Sequence, residues 1–217
     1  MTKLVGKMVV REPRRRRLTA AQRRETILDA ATEVFAEAGY RAAKVSDVAA
    51  RVGVTEPVVF QNFGSKAALF AAVLERAVAE VRSSLDDLPG GPGLLAHVLT
   101  GPPGPDAAHP GGRAHPGAGY GVLFADAAAL TAEPDLTGPA RDAIRAVAAH
   151  LADLIRRAQA DGGVRHGTDA DAAAWLLLSL LSARRLRAAA MPPGLEPAVT
   201  GLALRALADG GPTATGE

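Results

Sequence analysis

The apolar positions of the chain recur at helical spacing, and no alternating stretch is longer than a few residues, so the pattern predicts an all-α protein. Thr19 and Gln22 have the spacing of a capping box and predict a helix start. Gly39 predicts the helix end, as a left-handed residue after about 20–38. The buried face predicted for this helix comprises Ile27, Leu28, Ala31, Val34, Phe35 and Ala38.

Two short helices separated by a glycine follow. The first is marked by Val45, Val48, Ala49 and Val52. Gly53 can take the positive φ of a tight turn between helices. Thr55 is the predicted N-cap of the second helix, which has Pro57 in its first turn and runs to about Asn62. Gly64 ends it, and this layout predicts a helix-turn-helix.

Ser65 is the predicted N-cap of a longer fourth helix. Its apolar stripe comprises Leu69, Phe70, Val73, Leu74, Ala77, Val81 and Leu88. The composition then changes, because residues 89–119 contain 9 glycines and 7 prolines. A helical turn or two is predicted at Leu94–Leu99, and residues 100–118 are predicted to form a mobile loop.

Four further helices are predicted. Their approximate ranges are 119–131, 139–161, 169–190 and 195–209. The third is apolar almost all round between Ala172 and Ala183, which predicts burial on several sides. The last carries a seam of the kind that packs on another helix, formed by Leu195, Val199, Leu202 and Ala206.

These elements suggest a division into domains. A flexible basic arm over 1–18 precedes a three-helix DNA-binding domain over 19–66. A larger helical domain is expected over 67–210, and a flexible tail over 211–217.

Charge is unevenly distributed along the 217 residues. Residues 1–66 contain 13 Lys and Arg against 7 Asp and Glu, a net +6, whereas residues 67–217 contain 12 against 16, a net −4. A basic front suits a chain that meets a polyanion there, although a solvated basic tail would give the same count.

The sequence offers little that suggests catalysis. It has no cysteine, no phosphate-binding loop and no nucleophile-elbow or zinc-protease motif, so we expect no enzyme and no cofactor. His109 and His115 could bind a metal, but solvent-exposed loop histidines are the favoured interpretation, and no metal site is predicted. The apolar run around Ala172–Ala183 is shorter than the roughly 20 residues of a membrane span, so we expect a soluble, cytoplasmic protein.

Residues 19–74 resemble the TetR family of bacterial transcriptional regulators. The resemblance rests on an ordered string of short motifs, with matched spacing and an all-helical remainder. These motifs are the residues 35–40 (FAEAGY), 45–49 (VSDVA), 53–55 (GVT), 59–66 (VFQNFGSK) and 69–70 (LF). The family usually has Thr or Ser caps before the second helix, where this chain has Ala43 and Lys44. It usually has tyrosine at Phe60, and histidine or tyrosine at Asn62.

The resemblance implies that the third helix enters the major groove of DNA. Thr55, Glu56 and Gln61 can then reach bases or phosphates, although Glu56 could equally stabilise the helix N-terminus. Val58 could touch a thymine methyl group or simply pack, whereas Val59 and Phe63 are expected in the core. Lys66 with Ser65 is expected to clamp a phosphate. The full set of expected DNA contacts is Arg14, Arg15, Arg16, Arg17, Lys44, Val45, Thr55, Glu56, Pro57, Val58, Phe60, Gln61, Asn62 and Lys66.

The resemblance also implies the partners. A homodimer through helices near 169–190 and 195–209 would present two reading heads to a palindromic DNA operator, although those apolar faces could instead close the monomer's own core. An unknown small-molecule effector would release the DNA. The candidate pocket residues are Val98, Tyr120, Phe124, His150, Trp175 and Leu178, each of which could also be plain core. A non-specific architectural DNA-binding protein is the alternative, and a helical enzyme without a recognisable motif is less favoured.

The arm gives a first testable prediction. Deleting residues 1–17 should weaken binding to every DNA sequence and flatten its salt dependence, because the four consecutive arginines would release counterions from DNA. The measurement is affinity against salt concentration for the full chain and the truncated chain. An unchanged slope would contradict the role of the arm.

Overall fold

The computed structural model describes residues 19–88, 93–100, 117–130 and 132–207. The predicted basic arm, most of the loop at 100–118 and the tail lie outside these residues. The described part contains helices and no strands, so the predicted fold class is confirmed. The helices are α1 (Ala20–Ala42), α2 (Val45–Val52), α3 (Glu56–Phe63), α4 (Lys66–Asp86), α5 (Leu94–Thr100), α6 (Gly117–Ala129), α7 (Thr137–Ala160), α8 (Ala170–Ser182), α9 (Arg184–Ala190) and α10 (Glu196–Leu207).

Helix starts follow the predicted capping chemistry. The Thr19 hydroxyl accepts the Gln22 backbone N–H at 3.2 Å, and the Gln22 side chain accepts the Thr19 N–H at 3.0 Å, which completes the capping box. Ser65 caps α4 by accepting the backbone N–H of Ala68 at 3.0 Å. Each such cap satisfies an N–H group that the helix itself leaves unpaired and contributes about 1 kcal/mol.

The end of α1 differs from the prediction. Gly39 has a positive φ of 74°, as expected, but its ψ of 164° is extended rather than left-handed helical. The backbone therefore kinks at Gly39 and resumes a short helical turn up to Ala42. Glycine suits this conformation because a side chain at such a positive φ is strained.

The single helix predicted over 169–190 is wrong. The helix is interrupted at Ala183, which separates α8 from α9. Arg187 on α9 binds Glu196 at the start of α10, with nitrogen–oxygen distances of 2.8–3.2 Å. The prediction that α8 is buried on several sides is also wrong for a single chain. Ala170, Ala173, Ala174 and Leu177 are buried, but Trp175 and Leu176 are exposed.

One continuous hydrophobic core joins the N-terminal helices to the larger helical part. In the N-terminal part, the ring of Phe70 on α4 meets Phe35 edge-on at 5.0 Å and Tyr40 at 5.0 Å between centroids. Val59 and Phe63 of α3 are buried against this core, as predicted. Further along, α4 packs on α6 and α7, and α7 packs on α8. Helix α4 therefore belongs to both halves of the molecule.

This packing predicts a strong stability effect at Phe70. Phe70→Ala should lower the free energy of unfolding by about 3–5 kcal/mol, because it opens a cavity beside two aromatic rings. Phe60→Ala is the control, since Phe60 is 40% exposed and its loss should change stability by well under half as much. The measurement is chemical denaturation of both variants, and equal losses would contradict the described core.

Candidate nucleic-acid interface

Helix α3 has one buried face and one open face. Val59 and Phe63 point into the core, whereas Glu56, Phe60 and Gln61 are exposed. Thr55 occupies the N-cap position, but its side chain makes no capping hydrogen bond to the helix, so the capping role predicted for it is absent. Short α3 thus presents a row of polar and apolar side chains outward from a fixed core, which is what reading a DNA groove requires.

The turn before α3 has a defined geometry. Gly53 adopts the left-handed conformation, with φ 76° and ψ 36°, and its N–H donates to the carbonyls of Ala49 and Ala50 at 3.0 and 3.2 Å. The N–H of Val54 also donates to Ala49 at 3.0 Å. These bonds close α2 and fix the direction in which α3 begins.

The far end of α3 is held by a residue that sequence reasoning missed. Arg24 on α1 places its guanidinium 4.1 Å from the centre of the Phe63 ring and donates to the Asn62 carbonyl. A cation at the C-terminus of a helix is favourable because the last carbonyls there carry partial negative charge. The amide of Asn62 in turn donates to Val58 O at 2.7 Å. Asn62 is therefore committed to the end of the helix rather than freely directed outward.

The two lysines of the expected interface differ in their surroundings. Lys44 is exposed just before α2, which has no side-chain cap. Lys66 is half-buried, with Nζ 4.7 Å from the centre of the Tyr40 ring and 3.4 Å from Arg41 O. Burial lowers the pKa of the Lys66 ammonium. The Ser65 hydroxyl, expected beside Lys66 in a phosphate clamp, is used to cap α4.

Other expected contacts are distributed unevenly. Pro57 is exposed beside Glu56, and Val58 is half-buried. Val45 is buried in the core with only 8% of its surface exposed, so a DNA contact at this position stays a prediction for its backbone. Arg14, Arg15, Arg16 and Arg17 lie outside the described residues.

An open cleft of about 170 Å³ lies between α6, α7 and α8. Of the candidate pocket residues, Phe124, Trp175 and Leu178 line it. Val98 on α5 is instead part of the core. His150 on α7 is buried near the end of α4, with Nε2 3.2 Å from Asp86 Oδ1 but without hydrogen-bond geometry. Val98 and His150 therefore do not line this cleft, and the side chain of Tyr120 lies outside the described part.

The N-terminal helices connect to α6 through residues 39–41. The Asp126 carboxylate on α6 accepts the backbone N–H of Tyr40, immediately after the kink at Gly39. Arg41 pairs with Glu133, which follows α6, at 3.0 Å. Burial, reinforced by the carboxylates of Glu133 and Asp135, raises the pKa of Tyr40. The sequence did not predict this junction, because its partners are far apart along the chain.

Residues 19–88, 93–100, 117–130 and 132–207 contain no cluster of histidine and carboxylate side chains suited to a metal ion. No single helix among them is both long and apolar enough to cross a membrane, and only the bent pair α3 and α4, at 64° to each other, meets those criteria jointly.

Comparison with known proteins adds independent findings. Residues 27–73 match the family model for bacterial regulatory proteins of the tetR family. Over 69 residues the chain is 45% identical to the HTH-type transcriptional activator FasR of Mycolicibacterium smegmatis, a match that covers 32% of each chain. It is 49% identical over 49 residues to the HTH-type transcriptional repressor Rv3405c of Mycobacterium tuberculosis, covering 23% of this chain and 26% of that one. The matched part therefore spans a third or less of these relatives.

The solved structures extend the similarity to the whole fold. A TetR-family regulator from a Rhodococcus species has a TM-score of 0.64 at 23% identity, covering 86% of this chain and 96% of that one. NemR of Escherichia coli in its reduced form has a TM-score of 0.68 at 16% identity, covering 86% and 97%.

The outward face of α3, its glycine turn and the matched segment define a helix-turn-helix. Within that segment, residues 27–73 match the TetR family of bacterial regulatory proteins, and the helical fold as a whole is similar to that of solved TetR-family regulators.

The exposed position of Lys44 leads to a prediction on salt dependence. If Lys44 contacts a phosphate, Lys44→Gln should weaken binding to all sequences and reduce the slope of log affinity against log salt by about 1. Arg145→Gln on α7, which is also exposed, is the control and should leave the slope unchanged. Fluorescence anisotropy at several salt concentrations measures both, and equal slopes for wild type and Lys44→Gln would exclude the contact.

Proposed function

We propose that this regulator is a repressor that binds a palindromic operator as a homodimer and is released by a small-molecule effector. The observation that carries the proposal is the open face of α3, held on a buried core within the segment that matches the family. Repression is the finer part of the proposal, since the matched relatives include one named an activator and one named a repressor.

In this proposal α3 lies in the major groove. Gln61 pairs with a base edge, and Thr55 and Glu56 at the helix start reach bases or phosphates. Phe60 offers an apolar contact where the family usually has the hydroxyl of a tyrosine. Val58 and Pro57 lie beside the residues of α3 that contact DNA. Lys44, Lys66 and the basic arm supply phosphate contacts. Lys66 lies over the ring of Tyr40. To contact a phosphate, its side chain must either move away from that ring or receive the phosphate while the ammonium stays over it.

The positions of the exposed apolar side chains support the homodimer. Apart from Phe60, the large exposed hydrophobic side chains of the described residues lie on or beside α8, α9 and α10. They are Trp175, Leu176, Leu186, Leu195 and Leu202, of which Leu186 is 70% and Leu202 65% exposed. Burying such side chains in an interface would be favourable, because each Å² of apolar surface removed from water contributes about 25 cal/mol. A twofold axis there would set two copies of α3 about one helical turn of DNA apart.

Response to an effector is supported by α6, which reaches both the cleft and the N-terminal helices. Phe124 and Ala128 line the cleft, and Asp126 between them in sequence holds the backbone of Tyr40. A ligand that shifts α6 therefore displaces the end of α1 and changes the position of α3 relative to its copy. A ligand-bound neighbour, FadR of Bacillus subtilis with stearoyl-CoA, has this fold with a TM-score of 0.51 at 16% identity.

The proposal is tested by selecting bound duplexes from a random pool with the full chain. We expect an inverted repeat, bound at least about a thousandfold more tightly than unrelated DNA. An architectural DNA-binding protein would show almost no preference, and that outcome would overturn the proposal. Reporter transcription from the selected site then separates repression from activation.

The dimer surface yields a prediction of its own. Leu202→Glu should convert the dimer to monomer and reduce binding to the selected inverted repeat at least about tenfold, because a charge would be buried in the interface. Ala149→Glu, on an exposed position of α7, is the control. Sedimentation velocity and anisotropy measure the two effects, and a dimeric Leu202→Glu variant would contradict the assigned surface.

The Asp126 contact yields a further prediction. Asp126→Ala should lower operator affinity about threefold to tenfold, since the reading heads would spend less time at the matching separation. Hydrogen exchange at the Tyr40 amide should accelerate in the same variant. Asp142→Ala, an exposed carboxylate on α7, is the control for lost charge. Wild-type affinity together with wild-type exchange in Asp126→Ala would show that the contact does not couple the two parts.

A further inference from the structure

Arg24 joins α1 to α3 in a different way from the arginine that joins α1 to α2. Arg51 on α2 pairs with the Glu37 carboxylate of α1 at 2.8 Å. In the part of the chain that the structure describes, no carboxylate pairs with Arg24. Its guanidinium contacts neutral groups of α3 instead, with Cζ 4.1 Å from the centre of the Phe63 ring and an N–H donated to the Asn62 carbonyl. Arg24 therefore acts on the end of α3 directly.

The end of α3 needs partners from outside the helix. The helix is eight residues long, and a helix this short is marginal without tertiary contacts. Its last carbonyls have no partner within the helix. The Gly64 N–H donates to Phe60 O at 2.7 Å, and Arg24 supplies a donor for the Asn62 carbonyl. The contact with Arg24 thus ties the last turn of α3 to α1.

Gln61 lies in this last turn, immediately before the residue whose carbonyl Arg24 binds. Its side chain is exposed, whereas the Asn62 amide donates to Val58 O at 2.7 Å and is used within the helix. A glutamine recognises adenine by two hydrogen bonds at once, which requires its amide to lie in one orientation against the base edge. A rotation of the last turn would move Gln61 out of that orientation.

We propose that Arg24 is a positioning residue for base recognition, which holds the end of α3 on α1 so that Gln61 meets a base edge in a fixed direction. This inference rests on the proposed function, because it concerns the contact between α3 and DNA bases. Arg24 then contributes to the discrimination between sequences. A phosphate contact by the exposed Arg24 would instead strengthen binding to every sequence and would depend on salt.

The test compares the full chain with Arg24→Met for binding to the selected inverted repeat and to unrelated DNA at several salt concentrations. Methionine can still cover the Phe63 ring, but it removes the charge and the N–H donors. We expect the ratio of the two affinities to fall at least about fivefold, the lower end of what one bidentate base contact contributes. Affinity for unrelated DNA and its salt slope should stay unchanged. Arg24→Lys, which keeps a cation and a donor, should recover part of the ratio.

A salt slope reduced by about 1 in Arg24→Met, with equal losses for both DNAs, would show a phosphate contact and overturn the positioning role. Arg23→Met is the control, because it removes a cation from the preceding position of α1 without changing the contacts at the end of α3. It should leave the affinity ratio unchanged. An equal fall of the ratio in Arg23→Met would also overturn the inference.

A double variant separates positioning from a general loss of stability. In a Gln61→Ala background, Arg24→Met should lower affinity for the inverted repeat by less than about twofold, because the contact that Arg24 positions is already absent. If the two losses multiply, Arg24 acts independently of Gln61 and the inference is wrong.

Hydrogen exchange without DNA distinguishes failure of this inference from failure of the proposed function. The Gly64 N–H closes the last turn of α3 on Phe60 O, and its exchange should accelerate at least about fivefold in Arg24→Met. Wild-type exchange, or a wild-type affinity ratio, would overturn the inference while the regulator stands. Faster exchange in a chain that prefers no sequence over unrelated DNA would overturn the proposed function instead.

Discussion

The packing of Phe70 between Phe35 and Tyr40 is the interaction on which the rest of this structure depends. It joins α4 to α1 and so fixes the core on which α3 rests through Val59 and Phe63. The same α4 continues into the larger helical part and packs on α7. The direction of α3 is therefore set by a helix that also belongs to the core of the larger helical part, and the two parts cannot move independently without disturbing these rings.

Local signals explain why much of the helix-turn-helix region could be predicted from sequence. The capping box at Thr19, the positive φ at Gly53 and the cap at Ser65 depend on residues within a few positions of each other. The inward and outward faces of α3 follow from helical spacing. The kink at Gly39, the missing capping bond of Thr55 and the orientation of some side chains were not predicted. Val45 is buried in the core and Lys66 lies over the ring of Tyr40, because tertiary neighbours determine both positions.

Long-range contacts explain what sequence reasoning could not reach. Arg24 donates to the Asn62 carbonyl at the end of α3, and Asp126 accepts the backbone N–H of Tyr40. Each bond joins residues that are far apart in the sequence and share no local pattern. The break at Ala183 was missed because no glycine or proline marks it, and the ion pair between Arg187 and Glu196 fixes the new direction. The lining of the cleft could be predicted only in part. Aromatic and aliphatic residues were recognisable as candidates, but only packing separated Trp175 from His150.

A single helix, α6, connects the proposed ligand site to the proposed DNA site, with Phe124, Asp126 and Ala128 within one turn of each other. The account requires that two copies hold their α3 helices at one fixed separation. The direct measurement is affinity for the selected inverted repeat as the spacing between its half-sites is changed one base pair at a time. A sharp optimum, with binding lost when about half a helical turn is inserted, is the predicted result. Equal affinity at every spacing would contradict a dimer that reads two linked half-sites.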